Sequence, residues 1–312
     1  MSRDFGRLAD DRLRDFYDPR MPLAGKSRWV VWVLGPLAVA AALLAQLMAA
    51  ARTGFLPFDQ SFGAGKDGDW LTLLATVTGL AAVTSAFGGL VASGLLSGLL
   101  ARYGVVVLVA VAGLTSVPFL RGMAGDARDV SLAIGGPENS VTIALMIGLG
   151  LGALTAGVIS GSNWRPAAVG LAVTAAALWM LVAVSGRTAV GPAPLGLPSD
   201  LLRTRNVSQL GGWLPLPAVL WVVIGAAAAL AARRFTAGRG SVLLSGVLGS
   251  ALISLSYFAA RPRESYGDHL TVHNSAFGLT IMLIGGALLG AGIVSLAPVR
   301  GTRGAYTEHT TM

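Results

Sequence analysis

Between Trp29 and Ala297 the chain contains about eight stretches, each of 17 to 31 residues, without a single Asp, Glu, Lys or Arg. Each is long enough to cross a hydrocarbon core of roughly 30 Å. In such a medium water cannot satisfy the backbone N–H and C=O groups, so each stretch must bond internally as a helix. The expected fold is therefore an all-α, polytopic integral membrane bundle of about eight transmembrane helices. Composition agrees: 54% of residues are hydrophobic and 12% charged, against about 25% charged in a soluble domain.

The expected spans are 29–51, 70–100, 104–120, 140–161, 167–185, 214–232, 242–260 and 277–297. The second is over-long. Its 31 residues would reach about 46 Å at 1.5 Å per residue, so it is expected to tilt, protrude or break at Gly88-Gly89. The bundle is then 29–297, flanked by tails 1–28 and 298–312, with long loops at 52–69, 121–139, 186–213 and 261–276. The order of long, short and long loops recurs in the two halves and suggests a parallel four-plus-four arrangement, although no residue-level self-similarity supports it.

Orientation follows from basic residues. The short connections 101–103, 162–166 and 233–241 carry five Arg in 17 residues, whereas the four long loops carry nine Lys or Arg in 81. The positive-inside rule then places both termini in the cytoplasm and the long loops outside a plasma membrane. The net charge of +8 has the same explanation, so the expected partner is the lipid bilayer and not nucleic acid. Residues 1–28 follow an amphipathic pattern through Phe5, Leu8, Leu13, Phe16 and Tyr17, which suits a helix on the membrane surface. The first long loop, with Phe55, Phe58 and Phe62, is aromatic enough to dip into the interface. The chain has no Cys, which excludes disulfides and thiolate chemistry.

Candidate chemistry is sparse because no ionisable side chain falls inside a span. Asp268, His269 and His273 in the last long loop have the one spacing suited to a metal, with the two imidazoles four residues apart; backbone-bonded interfacial histidines are the simpler reading, and no cofactor is expected. Thr84, Ser85, Gly88, Gly89, Ser250 and Ser254 are the candidate lining of a path for a neutral solute. The alternative is that these hydroxyls bond to backbone within a packed core. Gly94 with Gly98, Gly148 with Gly152, and Gly286 with Gly290 are small-xxx-small pairs suited to close helix packing, within the chain or across a homodimer.

Three segments or features of the chain bear a partial resemblance to known families. Arg263, His269 and His273 resemble part of the third motif of the type 2 phosphatidic acid phosphatase family, but that motif ends in Asp where this chain has His273. Pro198-Ser199 continues as Asp200-Leu201 instead of Gly-His, and no Lys-x6-Arg-Pro occurs. Residues Gly157 to Gly161 resemble the rhomboid Gly-x-Ser-Gly motif with one residue too many, and Ser160 and His273 are expected at opposite ends of the bundle. The span count is similar to haem A synthase, yet the spans hold no His for axial ligation. The first expectation for function is a non-enzymatic membrane component, a partner subunit of a cell-envelope or transport complex. The second is a permease for a neutral or weakly polar solute, and the third a His-dependent membrane enzyme using the 261–276 loop.

Overall fold

The computed structural model describes residues 28–59, 61–62, 67–130, 135–161, 164–185, 215–235, 238–259, 284–285 and 287–297. Within them the chain forms helices α1 (Arg28–Arg52), α2 (Asp67–Gly94) and α3 (Leu99–Gly113), the last passing through a 3-10 turn into α4 (Val117–Ala124). There follow α5 (Pro137–Ile159), α6 (Trp164–Ser185), α7 (Pro215–Ala232), α8 (Arg239–Ala259) and α9 (Ala287–Leu296). Among the described residues there is no strand, only a single bridge between Ser61 and Arg128. Among the described residues six helical runs are long and apolar enough to cross a membrane, and two shorter apolar helices lie at 219–232 and 287–296.

Two expected spans are corrected. The second does not break at Gly88-Gly89, since α2 is continuous to Gly94. It ends earlier than expected, because Gly98, at φ 98°, takes a left-handed conformation open to glycine and turns the chain into α3. The third span is not short but runs 26 residues from Leu99 to Ala124. Arg102, which reads in sequence as part of a connection, lies in the first turn of α3 and reaches back to the helix ends.

The centre of the bundle is α2. It packs against α1, α3, α5, α6 and α8, and 83% of its most apolar window is buried, against 33% for α1, the α3–α4 run and α5. A helix apolar on every side belongs in such a place. Hydrophobic drive between helices is absent in lipid, so close contact must come from shape. Glycines supply it. A side chain on Gly148 would strike the carbonyl of Thr78, and one on Gly152 the carbonyl of Ala82 and the amide of Ala86, so α5 lies with its backbone directly on α2. Gly88 receives Val39 of α1, while Gly89 receives Ala156 of α5 and Val106 of α3.

The last four helices repeat this packing. Gly290 of α9 lies on the carbonyl of Val222 and the amide of Ala226 in α7, as Gly152 of α5 lies on Ala82 and Ala86 in α2. Gly89 meets Val106 where α2 touches α3, and Ala229 meets Gly246 where α7 touches α8. These contacts are offset by 140 residues from α2 to α7 and from α3 to α8, and by 138 from α5 to α9. Each unit also pairs its first helix with its second and third, α1 with α2 and α3, α6 with α7 and α8. Sequence identity between the units is not needed for this match, because the recurring demand is only for small residues at the crossing points. The units meet where α2 lies against α6 and α8.

Replacing Gly152 or Gly290 with Leu places a side chain inside a neighbouring backbone and is expected to destabilise the bundle by about 1–3 kcal/mol or more. Gly150→Leu, at a position facing open space, is expected to leave stability within about 0.5 kcal/mol. Thermal unfolding in detergent, compared across the three variants, checks the assignment; equal behaviour of Gly150→Leu and Gly152→Leu would contradict it.

Candidate functional site

Most of the buried polar side chains among the described residues lie on α2 and α8. Thr84 donates its hydroxyl proton to Oε1 of Gln46 on α1 at 2.9 Å, and both side chains are buried. Ser85 donates to the carbonyl of Leu149 on α5 at 3.3 Å. Thr78 lies between its own Leu74 carbonyl at 2.8 Å and the Ala144 carbonyl of α5 at 3.0 Å. Thr76 and Ser93 return to their own helix, at the carbonyls of Thr72 and Leu90. The hydroxyls that leave α2 therefore tie it to α1 and α5, the helices of its own unit.

On α8, Ser245, Ser250 and Ser256 bond to carbonyls of the same helix at 2.6, 2.8 and 2.8 Å. Ser254, buried, has no partner within hydrogen-bond distance, whereas buried Tyr257 meets the side chain of Thr76 on α2. Among the expected path residues, Thr84 and Ser85 thus lie in satisfied helix contacts, Gly88 and Gly89 in close packing, Ser250 on its own backbone, and Ser254 alone is left open. Tyr257, which the sequence places beside Ser254 among the neutral polar groups of the same span, is brought by the fold to Thr76 of α2.

The two ends of the bundle are built differently. At the end with short turns, Arg102 donates from Nε to Leu96 O and from Nη1 to Ser160 O, both at 3.0 Å, so one guanidinium closes the C-terminal ends of α2 and α5. Arg233 does the same service for α9 through Ala297 O at 2.5 Å. Helix C-termini expose unpaired carbonyls and a partial negative charge, which a guanidinium satisfies on both counts. Trp164 stacks against Gly94, and the Arg165 guanidinium stands 5.4 Å from the Trp164 ring centroid. Gly98 forms the turn and not a packing face, which corrects its expected pairing with Gly94.

At the end with long loops, Phe55, Leu56, Phe58 and Phe62 are buried over the bundle instead of dipping into the membrane interface. Phe62 meets Trp70 edge to face at 5.1 Å, its amide donates to Arg128 O at 2.8 Å, and Ser61 donates to Asp129 Oδ2 at 2.8 Å. The 53–62 loop thereby closes onto the 125–130 loop. Arg121 and Glu138 pair at 3.2 Å in the open, a contact of the kind that contributes about 0–1 kcal/mol.

Asp268, His269 and His273, with Arg263 and Glu264, lie outside the described residues, as do Gly286, the 1–27 segment and the 298–312 tail. Among the described residues no group of three His, Cys, Asp or Glu side chains is placed to hold a metal ion. The chain matches no family model, no curated protein and no solved structure.

The Thr84–Gln46 bond is expected to carry a coupling of about 0.6–1.7 kcal/mol, the range for hydroxyl and amide bonds between membrane helices. A double-mutant cycle with Thr84→Val and Gln46→Leu, read by unfolding in detergent, measures it; additive effects would show that the pair contributes no stability.

Proposed function

We propose that this protein is a non-enzymatic component of the plasma membrane, with eight spans and both termini in the cytoplasm, that serves a membrane-protein partner or a second copy of itself as a scaffold. The observation that carries this reading is the position of α2. It fills the axis of the first unit, where a passage would run, and its hydroxyls are turned to the helices around it. Gly148 and Gly152, which suggest a dimer face in sequence, are occupied within the chain; partner contact is thereby assigned to the loops outside the membrane and to the outward helix faces.

The orientation rests on the arginines. Arg102, Arg233, Arg234 and Arg239 gather at the end with short turns, together with the C-terminus of α9, and a cytoplasmic position of that end satisfies the positive-inside rule. A Cys at Gly125 is expected to react with an impermeant thiol reagent in intact cells and a Cys at Gly238 is not; the absence of native Cys leaves no background. Reaction at position 238 from outside would reverse the orientation.

The scaffold reading itself is tested by flux. Purified protein in liposomes is expected to leave glycerol and urea permeability at the level of protein-free vesicles, measured by stopped-flow light scattering. A saturable rise in either rate would replace the scaffold with a permease for neutral solutes.

A further inference from the structure

The two units are built alike, yet their corresponding helices are not covered alike. By the offset of 140 residues, Val83, Phe87 and Leu90 of α2 correspond to Val223, Ala227 and Leu230 of α7. A further pair fixes the register: Ser85 donates to the Leu149 carbonyl, and its counterpart Gly225 lies on the carbonyl of Ala287, the counterpart of Leu149. Val83 and Leu90 are 0% exposed, whereas Val223 and Leu230 are 57% and 60% exposed.

The α2 residues are covered by the second unit. Thr76, Val83, Phe87, Leu90 and Gly94 recur at steps of three, four and seven residues, so they share one helix face. At its ends Thr76 meets Tyr257 of α8 and Gly94 meets Trp164 of α6. Between them Val83 and Leu90 join one buried cluster with Leu171 of α6 and Leu248 of α8. These two helices are the counterparts of α1 and α3, and they touch each other as α1 and α3 do. The contact is therefore heterologous, with the second helix of one unit seated on the first and third helices of the other. Among the described residues it is made once, because α7 has no contact of similar extent with α1 or α3. Both halves of the contact thus recur unused. Leu108 of α3 is exposed where its counterpart Leu248 is buried, as Val223 is exposed where Val83 is buried.

Exposed apolar residues on a membrane helix ordinarily meet lipid, so exposure alone names no occupant. The repeat names one, since a heterologous contact with both halves free builds rings or open rows of identical subunits. We propose that this chain associates head to tail with further copies of itself, the α7 face of Val223, Ala227 and Leu230 seating on α1 and α3 of the next copy as α2 seats on α6 and α8. This contact rests on the scaffold reading only in assigning partners to the outward helix faces, and it names both the face and the occupant.

Thr76 lies near the start of α2 and Tyr257 near the end of α8, so these helices run in opposite directions and bring Val83 and Leu248 to similar depth. Their counterparts Val223 and Leu108 are therefore the positions to join. Full-length Val223→Cys and Leu108→Cys chains, co-expressed with different affinity tags, are expected to be linked to each other by a short bis-methanethiosulfonate reagent, and neither variant is expected to link to itself. Linking of each variant to itself, or no linking in any combination, would overturn the head-to-tail contact. A second measurement avoids those cysteines. Donor- and acceptor-labelled Gly125→Cys chains are expected to show energy transfer in dilute liposomes beyond that of random neighbours, and Ala227→Trp is expected to abolish the excess with Tm unchanged. Transfer at the random level in the chains without Ala227→Trp would show lipid alone on these faces and overturn the contact; an excess that Ala227→Trp leaves intact would overturn the assigned face. Glycerol and urea flux in the same liposomes separates the two readings. Excess transfer with flux keeps the contact and removes the scaffold, whereas random transfer without flux removes the contact and leaves the scaffold to a different partner.

Discussion

Everything in this bundle depends on holding a helix that is surrounded on all sides in a solvent that does not push helices together. Lipid is as apolar as the side chains it meets, so α2 is kept in place by closeness of fit and by hydrogen bonds that have no water to compete with them. Gly148 and Gly152 bring the α5 backbone onto α2, Val39 enters the notch at Gly88, and Thr78, Thr84 and Ser85 spend their protons on α5 and α1. Larger residues at these glycines would move α5 outward and take the Ala144 and Leu149 carbonyls out of reach of Thr78 and Ser85. Packing and hydrogen bonding are thus one constraint.

The same solution appears twice. Gly290 does in α9 what Gly152 does in α5, and Arg233 closes the end of α9 as Arg102 closes that of α5. The arginines therefore combine two roles. On the proposed orientation they mark the cytoplasmic end, and the guanidinium groups of Arg102 and Arg233 satisfy helix-end carbonyls that would otherwise stand unpaired. The opposite end is closed by an aromatic cluster around Phe62 and Trp70.

The contact of α2 with α8 is among the most extensive in the bundle. Ser250 and Ser256 return to their own helix, and Tyr257 meets Thr76 across it. The two units meet chiefly where α2 of the first lies against α6 and α8 of the second.

The helical class was legible in the sequence because the cost of unpaired backbone in lipid allows no other reading of long uncharged stretches. Most helix ends were legible to within a few residues from Pro, Gly and Arg. The exceptions were physical in origin: Leu95 to Leu100 carry no charge, so composition alone could not separate the turn at Gly98 from the helices beside it, and Arg102 folds back onto carbonyls that only the assembled bundle places within reach. The repeat was invisible to residue comparison, since many small residues serve equally at a crossing point and only the backbone contacts of Gly152 and Gly290 reveal the match. For the polar groups the sequence supplied their identity and their depth in the spans. Whether a hydroxyl is satisfied, as at Thr84, or left open, as at Ser254, was decided by which neighbouring helix stands opposite, and that is a property of tertiary structure alone.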